Sequence, residues 1–405
     1  MTDPRVRAAT VLPSAPGNPT LVGRVWAPGG GPRLVAITGE VLTDVTALGP
    51  TMAELMSHDD PAGAVRERLG SATGARTWQL DDVLAATVRE ADRLRGSDDD
   101  PEYAETVLLS PVDLQVLKAA GVTFVRSMIE RVIEERVGGD PSKAAAVRDQ
   151  LKQTLGDSIR DVRPGSAEAL SALEVLRSNG LWSQYLQVGL GTHPEVFTKA
   201  PVLASVGHGS DVGIAEISTW NNPEPELVLV IDGAGTVKGA TLGNDANLRD
   251  MEGASALLLP LAKDNNASAA LGPFIRLLDA DFSLEDAAAT TITMRVEGQD
   301  GFVLEATAPQ SEISRPVTEL VEHTINRRHQ YPDGLVLYCG TPFAPTEDRG
   351  APGQGFTHAD GDLVSISSPE LGTLVNRVTA SEKAPRWSYG LLDLVRDLEA
   401  ARSAK

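Results

Sequence analysis

The sequence predicts an α+β fold built on a strand-rich mixed sheet. Three observations lead there. From about Phe197 onward, short β-like runs recur and are separated by turns rich in Gly, Asp and Asn. Helical periodicity concentrates in the middle of the chain, ahead of those runs. Strands and helices do not alternate regularly, which argues against a doubly wound βαβ sheet.

Residues 1 to about 20, rich in Pro, Thr and Ala, read as a loose arm. The runs Leu21–Trp26, Leu34–Thr38 and Glu40–Val45 read as strands, with Gly29-Gly30-Gly31-Pro32 as a turn. Thr51–Met56 and Pro61–Leu69 suit short helices. Asp82–Leu94 suits a longer one, with Val83, Leu84, Val88, Ala91 and Leu94 on one face. Gly96-Ser97-Asp98-Asp99-Asp100-Pro101 marks a solvated acidic linker. The boundary there divides a small N-terminal α/β domain, residues 1–105, from a larger domain, 106–405.

Pro111–Ala120 and Phe124–Val137 are expected as helices. Asp140-Pro141 reads as the start of a helix that runs to about Leu155 and stops at Gly156. Ser166–Leu176 reads as another, ended by Asn179-Gly180. This helical block is expected to cover one side of a sheet or to form a lid. Strands are expected at Val202–Val206, Gly213–Ile217, Leu227–Ile231, Val237–Leu242, Thr291–Val296, Phe302–Thr307, Leu335–Cys339 and Leu363–Ser367. Helices are expected at Met251–Leu259 and Pro316–Arg327, with a closing amphipathic helix at Leu391–Ala401.

The formal net charge of −20 argues against nucleic acid and anionic membrane as partners, since both call for a basic patch. No window approaches the roughly 20 apolar residues of a membrane span, and Met1–Pro19 lacks the apolar core of a signal peptide. The single cysteine, Cys339, ends an apolar run and fits a core position and a reducing cytoplasm.

The chemistry concentrates in Pro223-Glu224-Pro225-Glu226-Leu227. A strand alternates its faces, so Glu224 and Glu226 point the same way and repel unless a positive charge sits between them. Asp232-Gly233-Ala234-Gly235 is a strong turn signal. Folding Val237–Leu242 back about it returns Asp245 beside the two glutamates. Two readings stand: edge charges that deter aggregation, or a hard-cation site of oxygen ligands for Mg²⁺, with Mn²⁺ or Ca²⁺ as substitutes. Coordination places left open on such an ion suit a chelating 2-oxo acid, whose carbonyl the ion polarises. Lys263 follows, as a surface lysine or as a base or enolate-stabilising donor. His193, His208 and His358 lack metal-ligand spacing, and Gly207–Gly213 reads as a turn rather than a phosphate loop.

Three spaced segments, Ser218–Glu226, Gly239–Asp250 and Ala262–Asn266 followed by Leu271-Gly272-Pro273-Phe274, resemble the fumarylacetoacetate hydrolase family in that order. The resemblance covers roughly Leu108–Val378. It implies a fold of that family's type, a divalent cation held by Glu224, Glu226 and Asp245, and an active-site role for Lys263. Gly121–Ser127 and Pro194–Lys199 resemble the family's 2-keto-3-deoxy sugar-acid dehydratases. This second resemblance implies a catalytic Glu195, substrate contacts from Arg126, Ser127 and Thr341, and a homo-oligomer. Arg126, Glu130 and Glu134 equally suit a salt-bridged helix stripe, the preferred reading for the two glutamates. The implied reaction is Mg²⁺-dependent dehydration of a 2-keto-3-deoxy pentonate to 2,5-dioxopentanoate. The alternatives are acylpyruvate-type C–C hydrolysis, for which no clear His-x-x-Glu base is found, and a metal-binding protein without catalysis.

Overall fold

The computed structural model describes residues 3–71, 73–138, 140–144, 146–147, 162–178, 180, 182–343, 345, 347–350 and 355–403. Its strands, in chain order, are β1 (Leu21–Ala27), β2 (Gly31–Thr38), β3 (Val41–Asp44), β4 (Thr77–Gln79), β5 (Val107–Leu108), β6 (Val116–Gly121), β7 (Glu195–Ala200), β8 (Asp211–Ile214) and β9 (Asn221–Asn222). They continue with β10 (Pro225–Ile231), β11 (Val237–Asp245), β12 (Asn247–Leu248), β13 (Ala269–Leu277), β14 (Thr291–Glu297), β15 (Val303–Pro309), β16 (Leu335–Tyr338), β17 (Leu363–Ser368) and β18 (Gly372–Ala380).

The main sheet runs β4-β3-β2-β1-β13-β11-β10-β16-β6-β7, with β5 also paired to β1. A second sheet runs β15-β14-β17-β18-β8, and β12 pairs with β9. Pairing is mostly antiparallel, but β16–β6 and β18–β8 are parallel, so both large sheets are mixed as expected. The N-terminal strands join the same sheet as the later ones, through Leu21 opposite Arg276.

Residues of β10 are buried on both faces, which is why the run reads as continuously apolar. Leu227, Leu229 and Ile231 pack toward the second sheet, in one core with Met294, Ile366 and Leu374. Val228 and Val230 face the other way, into a core with Met52, Leu55 and Val65 from the short helices Met52–Met56 and Pro61–Gly70. The helices Val125–Val137, Ala167–Ser178 and Gln184–Leu190 form a third cluster around Met128, Leu173, Leu186 and Trp220.

Several expectations change. Pro111–Ala120 is not a helix: Val116–Gly121 is a strand between β16 and β7, and this pairing overrides its helical composition. Val202–Val206 is not a strand; Leu203 has φ of 65°, which breaks an extended run. The strand β13 was hidden by Gly272-Pro273, because proline is usually excluded from a central strand. Here the ladder shifts register opposite, between Ala240 and Leu242, and Thr241 Oγ1 donates to the Phe274 carbonyl instead. The arm is not loose. Ala8 and Val11 are buried, Ala8 N–H donates to Asp81 Oδ1 at 2.6 Å, and the carbonyl of buried Arg5 meets His208 Nε2 at 2.9 Å. A short 3-10 turn, Pro141–Lys143, stands where a helix start was expected, and that helix's course toward Leu155 lies outside the described residues. Among the described residues no helix is long and apolar enough to cross a membrane.

Candidate active site

The hairpin return is built as the sequence suggested. Glu226 lies opposite Gly243 and Pro225 opposite Asn244, while Asp245 N–H donates to the Glu224 carbonyl at 3.0 Å. Glu224, Glu226 and Asp245 are each 3% exposed or less, with one carboxylate oxygen from each within 4.8 Å of the others. Asn244 Oδ1 accepts from Glu224 N–H and locks the bend that leads into β10.

Lys263, the last residue of the short helix Leu259–Lys263, reaches into this group. Its Nζ lies 2.5 Å from Glu224 Oε2 and 2.9 Å from Asp245 Oδ2. Burial by itself lowers a lysine's pKa, but Asp245 and Glu224 outweigh it and raise that of Lys263. Asp245 is the mirror case: burial pushes its carboxyl up, and Lys199 and Lys263 hold it below the ordinary range.

Glu226 is different. Among the described residues no cation pairs with it; its Oε2 accepts the Gly340 N–H at 2.6 Å. Burial first, then the charges of Asp245 and Glu224, push its pKa well up. Gly340 has φ of 91°, and a Cβ there would lie 2.0 Å from Thr123 Oγ1, so only glycine brings this amide to the carboxylate. A divalent cation fits the residues present: the donors are all hard oxygens, and Glu226 is a buried carboxylate short of positive charge.

Glu195 begins β7, opposite Gly121 at the end of β6. It is partly buried, and its pKa is pushed up to about 7, chiefly by burial and then by Glu252. A Cβ on Gly121 would lie 2.2 Å from Glu195 Oε2, so this glycine makes the carboxyl's space. Ser127 is buried and its Oγ donates to the Phe124 carbonyl within the first helical turn. Thr341 follows Gly340 and its Oγ1 accepts the Phe343 N–H. Arg126 stands apart, exposed on the helix Val125–Val137.

The arginine that enters the site is Arg131, further along that helix. It contacts Glu224, pairs with Glu134 at 2.7 Å, and lies 3.1 Å from Glu252 Oε2. Glu134 is fully buried between Arg131 and Arg249, so it is no part of a solvent-facing stripe. Arg249 stacks on Trp220 at 4.2 Å. Lys199, at 0% exposure, is also new: its Nζ meets Asp245 Oδ1, the Ala246 carbonyl and the Lys263 carbonyl at 2.9, 3.0 and 2.5 Å. No sequence signal flags it: the run Glu195–Ala200 shows no apolar alternation, and Lys199 and Ala200 are buried side by side.

A mixed-sheet fold that presents three buried carboxylates and a lysine defines a candidate metal-centred active site. Residues 183–379 match the fumarylacetoacetate (FAA) hydrolase C-terminal family. A 2-dehydro-3-deoxy-D-arabinonate dehydratase of Saccharolobus solfataricus is 31% identical over 199 residues, 49% of this chain and 63% of that protein. A probable 2-keto-3-deoxyxylonate dehydratase of Haloferax volcanii is 32% identical over 195 residues, 48% of this chain and 63% of that one. The match thus spans less than two thirds of either curated relative. A solved 2-keto-3-deoxy-D-arabinonate dehydratase, complexed with magnesium and 2,5-dioxopentanoate, shares the fold with a TM-score of 0.55 at 20% identity. That match covers 89% of this chain and 99% of that one.

Proposed function

We propose that this protein is a Mg²⁺-dependent hydro-lyase that dehydrates a 2-keto-3-deoxy pentonate to 2,5-dioxopentanoate. The observation that carries the reading is the buried Glu224–Glu226–Asp245 group with Lys263 and a near-neutral Glu195 at its side. The two sugar-acid dehydratases similar to this chain support the substrate class. So do Asn222 Oδ1 and Asn247 Oδ1, which are buried without a partner among the described residues and can accept from substrate hydroxyls.

The cation, when bound, supplies Lewis-acid polarisation of a 2-oxo acid and acidifies the C3–H bond. Glu224, Glu226 and Asp245 are the residues that would hold it. Lys263 presents an ammonium to the same space and orients negative charge there. Glu195, with a pKa near 7, can hand a proton to a departing C4 hydroxyl and take one from carbon at neighbouring pH. Ser127 and Thr341 are the candidate substrate contacts. The helix Val125–Val137 brings Arg131 onto Glu224.

The test is purified protein with Mg²⁺ and each stereoisomer of 2-keto-3-deoxy pentonate, with product identified by NMR. The reading expects 2,5-dioxopentanoate from at least one stereoisomer. Release of pyruvate from acylpyruvates without dehydration would replace it with the C–C hydrolase reading.

A further inference from the structure

A cavity of about 490 Å³ opens between the N-terminal strands and the C-terminal segment. None of the carboxylates or lysines described above lines it; its approach to them is the turn at Asn266 and Ala267, just past Lys263. Its size falls within the range of small-molecule sites, about 300–1,000 Å³. The cavity is therefore a second site, separate from the metal centre.

Aromatic rings form one wall. The Trp26 centroid lies 5.8 Å from that of Tyr103 at 58° and 5.4 Å from that of Tyr389 at 88°. Among the described residues no cation stacks on these three rings. The charged part of the lining is largely acidic: Asp100 and Asp397 face the space together with Glu90 and Asp393, the last two already paired with Arg93 and Arg396 at 2.8 Å each. Tyr389 donates its hydroxyl to Asp397 Oδ2 at 2.7 Å, so ring and carboxylate are fixed relative to each other.

The cations along the wall do not neutralise this charge. Arg24 is buried and committed to Asp113 at 3.2 Å and to the Ser110 and Val112 carbonyls. Arg386 is exposed. A fifth carboxylate of the lining, Asp211, is already matched by Arg95 and Arg377. What remains is an aromatic corner with Asp100 and Asp397 paired to no cation among the described residues, on a chain whose net charge is −20.

We propose that this cavity binds a small organic ammonium ion of the polyamine class, with its charge held between the Trp26–Tyr103–Tyr389 rings and Asp397. Ring faces attract a desolvated cation, and a fixed carboxylate adds to that attraction. The same field repels anions, sugar acids included, so this is no second seat for the proposed substrate.

Spermidine and tetramethylammonium are titrated into the full-length protein by calorimetry and tryptophan fluorescence. One saturable site per chain is expected, weakened by added salt. Asp397→Asn and Trp26→Leu should each weaken it about tenfold, equivalent to about 1.4 kcal/mol. Asp397 lies on the exterior helix Leu391–Ser403, so its variant keeps the test standing if Trp26→Leu fails to fold. No binding of either amine overturns the proposal. Binding unchanged in a folded variant does too, because it marks diffuse attraction to an acidic surface. Equal binding of xylitol overturns the ammonium assignment in favour of a neutral polyol.

Discussion

Lys199 Nζ lies 2.9 Å from Asp245 Oδ1 and 2.5 Å from the backbone carbonyl of Lys263. One buried ammonium thus fixes a candidate metal ligand and the chain that carries the candidate catalytic lysine. Its third contact, to the Ala246 carbonyl, ties down the end of β11. A residue that orients a metal ligand from behind governs affinity for the ion. Lys199→Met is expected to weaken Mn²⁺ binding about 10- to 100-fold, read by electron paramagnetic resonance on protein shown to be folded by circular dichroism. Wild-type affinity in a folded variant would remove Lys199 from this role.

Gly121 acts on Glu195 by leaving room for it. A Cβ would meet the far end of the Glu195 side chain rather than backbone, so Gly121→Ala costs little stability and moves the carboxyl instead. The expected result is a melting temperature within a few degrees of wild type and a kcat lowered by about tenfold or more. An unchanged kcat would mean that the carboxyl's position does not matter.

The proposed role of Glu195 gives the proposed reaction a pH dependence. A carboxyl with a pKa of about 7 is protonated below that pH and ionised above it. If it takes the C3 proton and then hands it to the departing C4 hydroxyl, it must start ionised, so kcat is full above about pH 7 and falls as pH drops through it. Glu195→Gln should abolish this limb and lower kcat by about 10²- to 10⁴-fold, while leaving Mn²⁺ affinity near wild type. A wild-type pH profile in the variant would assign the proton transfer elsewhere.

His208 locks the N-terminal segment. Its Nδ1 accepts the Val375 N–H, which leaves Nε2–H to donate to the Arg5 carbonyl. Burial pushes its pKa down to about 4, against about 6.5 in the unfolded chain. Between these values the unfolded state binds the extra proton, so stability falls as pH drops from about 6.5 to about 4, by about 3 kcal/mol in all. Thermal melts of wild type and His208→Gln check this. The wild type should lose melting temperature faster over that window, and parallel curves would contradict the assignment.

The strands that carry the metal ligands were legible because their signals are local. Pro223–Leu227, the Asp232–Gly235 turn and the return to Asp245 lie within one hairpin, and strand periodicity does the rest. The residues that support the ligands were not legible in the same way. Arg131 and Lys199 reach the cluster from a distant helix and strand, and only the folded chain shows that these charges are buried. Pro111–Ala120 read as a helix, whereas Val116–Gly121 is a strand whose parallel pairing with β16 crosses more than two hundred residues of chain. The Arg126 assignment came from the resemblance of Gly121–Ser127 to the sugar-acid dehydratases, whereas the helix turns Arg126 outward and Arg131 inward.

The most direct test of the metal centre is Mn²⁺ and Mg²⁺ titration of wild type and Glu226→Gln, with melting temperatures measured without metal. Glu226 is a buried carboxylate paired with no cation among the described residues, so replacing it by a neutral isostere should raise the metal-free melting temperature while abolishing ion binding. Wild type should bind one ion per chain and gain melting temperature from it. Absence of ion binding to wild type, or undiminished binding to Glu226→Gln, would contradict the account.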